Sequence, residues 1–304
     1  MNNRILDLSQ SPAKLFVRDA NLVVEAKDQT PARLPLVDVA VLVVSHPQVH
    51  YTHAVLAGIA SAGGVFFTCD GKHLPIGMLL PLAAHFAQVE RFAAQASAKL
   101  PVRKRVWRQI VRAKITAQSN FLSELRGNDA GLGQLVSQVR SGDPANVEAR
   151  AARRYWQQLF ADPRLTGADS KGFRRDQSLD DGNALLNYGY TVLRAIVARA
   201  ICAAGLHPSL GVHHHNKYAT YPLADDLMEP VRPLVDREVV GLLVDEGPQC
   251  ELTPAVKQRL IKSLLVRAKL EGEQRTVFDA MARTASSLAE VFLGEREKIV
   301  LPEV

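Results

Sequence analysis

Lys14-Leu15-Phe16-Val17-Arg18, the turn Asp19-Ala20-Asn21, and Leu22-Val23-Val24-Glu25 read as two strands of a hairpin, since short runs of β-formers flank a cluster of turn-formers. A β-branched run follows over residues 37–44. A short helix is expected over 52–61, and Val65-Phe66-Phe67-Thr68-Cys69 reads as a further strand behind Gly63-Gly64. These pieces describe a small β-rich module carrying one helix. After Pro75 and Pro81 the texture changes to Ala-rich and Arg-rich stretches of helical period, with proline and glycine at the boundaries. Leu186, Gly189, Leu193, Ile196 or Val197, and Ala200 recur at three-to-four spacing, which predicts a buried helix over 182–204 ended by Gly205. Residues 259–270 and 274–293 are further helical candidates. Residues 164–181, polar and without period, are expected to be a loop. The fold class is therefore α+β: a small β-rich N-terminal domain over 1–80, then a larger all-α domain over 81–304.

The chain has 304 residues, ample for a sizeable core at 47% hydrophobic content. Nothing near Met1-Asn2-Asn3-Arg4 has the pattern of a signal peptide, and no apolar run is long enough for a bilayer. Cysteines at 69, 202 and 250 give no disulfide framework, which fits a reducing cytoplasm. No Gly-Xaa-Ser-Xaa-Gly elbow and no phosphate-cradling glycine loop is present, which argues against a small-molecule hydrolase.

The net charge of +6 is a mild signal; its distribution is a stronger one. Residues 91–123 contain no acid. They carry Arg91, Lys99, Arg103, Lys104, Arg105, Arg108, Arg112 and Lys114, with Trp107 among them. Further basic groups follow at Arg150, Arg153 and Arg154, then at Lys171, Arg174 and Arg175. So long a run without counter-charge repels itself unless an anion is near, which favours nucleic-acid contact over plain solvation.

Gly211-Val212-His213-His214-His215-Asn216, followed by Asp225-Asp226-Leu227-Met228-Glu229, is the densest metal-ligand chemistry in the chain. Imidazole and carboxylate together suit Mn²⁺, Mg²⁺ or Zn²⁺. Asp225 reads as a helix N-cap with Asp226 in the first turn. Acids also complement helix dipoles, and tandem histidines also occur as solvated loop residues, so the string alone leaves both readings open. Gly142-Asp143-Pro144-Ala145-Asn146-Val147-Glu148 reads as a helix start, with Asp143 as N-cap, Pro144 at the first helical position and Glu148 one turn in. Spacing does not separate a ligand role for Glu148 from that of an exposed surface acid.

Several blocks resemble one family. They are residues 70–77 (Asp-Gly-Lys-His-Leu-Pro-Ile-Gly), the 142–149 string, Ala151-Ala152-Arg153-Arg154-Tyr155, and Asn183-Ala184-Leu185-Leu186-Asn187-Tyr188-Gly189-Tyr190. They continue through Gly205-Leu206-His207-Pro208, the histidine string, and residues 223–233. In order and spacing this resembles the CRISPR-associated protein one family, the endonuclease-integrase of spacer acquisition, most closely its type II branch. The resemblance implies a homodimer paired through the β domain, and a catalytic α-helical domain whose Mg²⁺ or Mn²⁺ is held by Glu148, His214 and Glu229. Asp226 matches an acidic position that supports or joins the metal. The implied partners are double-stranded DNA and a small ferredoxin-like Cas protein, with no membrane. His213 and His215 flank the matched imidazole, so the ligand is open by one residue. Residues 217–221 depart from the family's pattern, which puts that loop's contacts in doubt. A metal-dependent DNA nuclease of other biology and a non-catalytic nucleic-acid scaffold are the competing readings.

Arg103, Arg105, Arg108, Arg112, Arg153, Arg154, Arg174 and Arg175 are the expected phosphate contacts. If about six phosphates are neutralised, DNA affinity falls about a thousandfold between 50 and 200 mM salt. Binding measured by anisotropy that stays flat across that range would show these charges to be merely solvated.

Overall fold

The computed structural model describes residues 3–27, 29–69, 75–81, 83–166, 173, 175, 182–214 and 220–304. Within them the chain runs β1 (Arg4–Leu8), β2 (Ala13–Arg18), β3 (Asn21–Ala26), β4 (Ala32–Pro35), β5 (Val39–Val44), β6 (Val49–Tyr51), α1 (His53–Ser61), β7 (Val65–Cys69) and β8 (Pro75–Leu79). There follow α2 (Gln88–Ala96), α3 (Leu100–Arg126), α4 (Leu132–Val136), α5 (Val147–Leu159), α6 (Pro163–Thr166), α7 (Gly182–Ala203), α8 (Pro222–Met228), α9 (Pro233–Glu246) and α10 (Pro254–Ser263). Last come β9 (Arg267–Leu270), β10 (Glu273–Thr276) and α11 (Val277–Leu293).

The N-terminal strands form two four-stranded sheets, ordered β4-β3-β2-β6 and β1-β5-β7-β8. The expected hairpin is β2–β3, with Arg18 paired to Asn21 across the turn. β5 reads Val-Ala-Val-Leu-Val-Val and is buried throughout, as a strand covered on both faces must be. Leu42 and Val44 point into a core shared with Leu15, Leu22, Val55 and Ile59, between the two sheets and α1. Val41 and Val43 point the other way, into the large core of the helices. The second sheet is thus a partition. One face closes the β-rich part, and the other is packed by the helical body.

α7 is the axis of that body. Eighteen of its 22 residues are buried, because its apolar positions go all the way round instead of forming one stripe. Among the described residues no helix is long and apolar enough to cross a membrane.

The expectation of an all-α region after residue 80, with a helix over 259–270, needs a correction. α10 ends at Ser263 and α11 begins only at Val277, and between them β9 and β10 pair as an antiparallel hairpin. Glu271 and Gly272 form its tip at φ values of 50° and 87°, the left-handed pair that a two-residue hairpin requires. Ala268 and Leu270 alternate inward along β9. This period-two signal is too short to outweigh the helical periodicity on either side. The loop expected over 164–181 falls largely outside the described residues, as do residues 70–74, Arg174, Lys171 and His215.

Candidate active site

Four segments distant in sequence converge: the middle of α3, the first turn of α5, the loop 211–214, and the 3₁₀ turn Glu229–Val231 that follows α8. α3 brings a lysine. The Lys114 Nζ donates to Glu148 Oε1 at 2.7 Å and lies 2.8 Å from Glu229 Oε2. The second contact is an ion pair, and the Lys114 ammonium is the partner of that buried Glu229 oxygen. The Glu229 side chain is 4% exposed and that of Glu148 21% exposed, so one carboxylate is sealed and the other faces an opening.

Glu148 is placed by its helix start, although not as the string suggested. α5 begins at Val147, three residues later than Pro144, and the formal N-cap Asn146 makes no side-chain cap. Asp143 still does the capping, from further back: its Oδ1 accepts from Val147 N and its Oδ2 from Glu148 N. Pro144 and Ala145 are a loop across which the carboxylate reaches. Glu229 is placed by proline, since Pro230 and Pro233 break the helix between α8 and α9 and turn this residue toward α3. Its Oε1 pairs with Arg232 at 3.2 Å, and the Arg232 guanidinium stands over the Tyr190 ring, 4.9 Å from its centroid.

The histidine loop is held from below by Asp226, which is fully buried. Asp226 Oδ2 accepts from the backbone N–H of Val212 (2.7 Å) and His213 (3.0 Å), while Oδ1 meets His214 Nδ1 at 2.5 Å. Both oxygens are thus occupied within the protein. Asp225, expected as a cap, is instead inside the first turn of α8 and binds Arg194 Nε at 2.7 Å. Arg103 grips the same loop from α3, donating to the carbonyls of Gly211 and Val212 at 3.1 and 3.2 Å. Trp107 lies flat on His213, centroids 4.3 Å apart, and meets His214 edge-on. Gly211 is required by this closeness, for a Cβ there would come within 2.6 Å of the His214 carbonyl oxygen.

Charge follows geometry. Burial disfavours the Lys114 ammonium, but Glu229 and Glu148 outweigh it and hold the pKa above the ordinary lysine value. Burial likewise works against ionised Glu229, and Arg232 with Lys114 keeps it below the usual carboxylate value. His214 is raised chiefly by its hydrogen bond to Asp226, against the opposing effect of burial. Behind the site, Asp236 accepts from the hydroxyls of Tyr155 and Tyr190, and burial pushes its pKa up to about 6. Among the described residues no three His, Cys, Asp or Glu side chains stand together closely enough to hold a metal ion as they are placed. Glu148 and Glu229 instead share the ammonium of Lys114.

Of the expected phosphate-binding residues, Arg105, Arg112, Arg153 and Arg154 are exposed, Arg112 and Arg154 also donating to the carbonyls of Val136 and Ala130 at 3.1 and 3.2 Å, and Arg108 is half-buried. Arg103 is committed to the histidine loop, and Arg175 to Asn183 and Asn187 at 2.9 and 2.7 Å. Sequence reasoning counted Lys114 as one charge of a basic face and overlooked Arg232. The period of α3 held the signal, since Lys114 shares the buried stripe of Trp107, Ile110, Val111 and Gln118.

The profile of the family described as CRISPR associated protein Cas1 matches residues 6–262. The chain is 35% identical over 301 residues to the CRISPR-associated endonuclease Cas1 of Neisseria meningitidis serogroup C, covering 98% of this chain and 95% of that one. A casposase bound to integration product superposes with a TM-score of 0.77 at 20% identity, covering 97% of this chain and 92% of that one. A chain of a Cas6-RT-Cas1–Cas2 complex superposes at 0.76 and 18% identity, covering 98% of this chain and 36% of its own length. At such identities the two structures establish a shared fold.

Asp226→Ala leaves the buried Val212 N–H without an acceptor, removes the acceptor of the His213 N–H as well, and is expected to lower stability by about 3 kcal/mol. Chemical denaturation checks this, with Asp225→Ala as the partly exposed comparison. A loss below about 0.5 kcal/mol for Asp226→Ala would show that the loop does not depend on this carboxylate.

Proposed function

The chain belongs to the CRISPR-associated Cas1 family and is a spacer-integrating endonuclease, and we propose that Glu148, His214 and Glu229 hold the divalent cation its chemistry uses. The observation that carries this reading is the pair of carboxylates directed at one cation, with the imidazole of His214 fixed by Asp226 on the loop that α3 also holds. The residues fit such an ion. Glu229 Oε2 is a buried oxygen already facing a positive charge, the Lys114 ammonium at 2.8 Å, and two carboxylates with one imidazole form a donor set suited to Mg²⁺ and Mn²⁺. When bound, the ion supplies Lewis acidity at a phosphoryl oxygen and stabilises the departing 3′-oxygen.

The remaining roles belong to side chains of this chain. Asp226 Oδ1 accepts the hydrogen bond of His214 Nδ1–H, which leaves the lone pair on Nε2 to face an ion, so Asp226 is read as a support and not a ligand. This supports His214 over His213, whose ring is stacked on Trp107. Arg103 and Trp107 fix the loop, and Arg232 orients Glu229. Arg105, Arg108 and Arg153 grip the DNA backbone of the duplex that receives the spacer, joined by the exposed Arg112 and Arg154, each of which spends one N–H on a backbone carbonyl and keeps others for phosphate, while Arg103 and Arg175 each spend two N–H groups on protein and leave that group. In strand transfer a 3′-hydroxyl attacks a phosphodiester in line, one P–O bond forming as another breaks.

Residues 1–80 are read as the part that mediates homodimer pairing, and residues 81–304 as the catalytic part. A small ferredoxin-like Cas protein is the proposed partner, supported by the likeness to a chain of a Cas1–Cas2 complex. The relative from Neisseria, whose CRISPR system is of type II, supports placement in that branch.

Glu148→Ala and His214→Ala are expected to keep their melting profiles within a few degrees of the wild type. Both are expected to lose strand transfer into a short duplex by on the order of a thousandfold. The assay uses Mn²⁺ with and without the partner. Full integration by Glu148→Ala would remove this site from the reaction, and cutting without joining in the wild type would favour a nuclease of other biology.

A further inference from the structure

A lysine on the buried stripe of a helix must find a counter-charge, and Lys114 finds two. We propose that Lys114 is a positioning residue that serves as the exchangeable counter-ion of the metal-free site: its ammonium holds Glu148 and Glu229 together until a divalent cation displaces it. The proposal rests on the reading of Glu148, His214 and Glu229 as cation ligands.

Competition follows from distance and charge. A hard divalent ion binds carboxylate oxygen at about 2.0–2.1 Å. Lys114 Nζ already stands 2.7 and 2.8 Å from the two oxygens that such an ion would take. A divalent cation and an ammonium on the same two oxygens would face each other across a few ångströms in a site largely shielded from water, where repulsion is strong. One must leave, and the one on a flexible four-carbon stem is the lysine. The geometry allows it. Glu148 lies on the open side of the pair, and Glu229 keeps Arg232 on its other oxygen when the ammonium goes. The displaced charge then stands beside a site whose substrate is anionic. In the metal-free protein the same ammonium prevents two carboxylates from repelling each other apart, so the ligands stay assembled before the ion arrives.

The test compares full-length wild type, Lys114→Met and Lys114→Gln by calorimetric titration with Mn²⁺ and by melting with and without Mn²⁺. Both variants are expected to melt lower than the wild type without metal. They are expected to bind Mn²⁺ about tenfold tighter or more, the scale of one displaced charge contact, and to gain more in melting temperature from it. A lysine that merely propped up the fold would leave metal affinity unchanged or weaken it, so equal or weaker binding by either variant overturns the proposal. Should neither variant fold, acylation of the wild type followed by mass spectrometry decides. Lys114 is expected to react faster when Mg²⁺ is present, and an unchanged rate overturns the proposal. Tight Mn²⁺ binding by the wild type that is lost in His214→Ala, with Lys114 variants matching the wild type, sinks the counter-ion alone. Absence of Mn²⁺ binding by the wild type sinks the metal site and the counter-ion together.

Discussion

Two carboxylates from distant parts of a chain do not stay side by side in a protein interior unless a cation stands between them, and that constraint organises this molecule. Glu148 comes from the start of α5 and Glu229 from a proline-broken turn after α8. Lys114, from the middle of α3, is within 2.8 Å of both. Each of the three is expensive to bury alone. Together with Arg232 they balance, and their mutual attraction ties α3, α5 and the turn after α8 to one point.

The histidine loop obeys the same logic on a smaller scale. Asp226 is buried because it satisfies two backbone N–H groups and one imidazole at once, and Arg103 satisfies two carbonyls of the same loop. A loop with so many of its backbone groups taken up by protein has little freedom to move His214. Pre-organisation of this kind is what positioning chemistry needs, since a ligand held by its supporting shell loses little on binding. The sheet β1-β5-β7-β8 contributes at longer range, packing Val41 and Val43 into the core that holds α7 in place.

Much of this was legible in the residues. The β2–β3 hairpin, the buried run of β5 and the helix α7 each carry a long, consistent local pattern, and the structure follows them. The β9–β10 hairpin was missed because two short strands between strong helices give too few alternations to be heard. Glu148, His214, Asp226 and Glu229 were readable as chemistry through their resemblance to a family, yet their convergence was not, because no local rule joins segments so far apart. The basic segment shows the limit most clearly. Composition treats Arg103, Lys114 and Arg105 alike, whereas helical phase sends the first to a loop, the second into the site and the third to solvent. A lysine in phase with Trp107 and Ile110 was the available clue to a buried carboxylate partner.

The central claim is that one cation site is built from Glu148, His214 and Glu229, with Lys114 holding it in the metal-free state. Anomalous scattering from crystals of the full chain soaked in Mn²⁺ tests this most directly. The account predicts a single strong peak bounded by those three side chains, with the Lys114 ammonium withdrawn from both carboxylates. A peak elsewhere, or none at saturating Mn²⁺ with Lys114 still bridging Glu148 and Glu229, would contradict it.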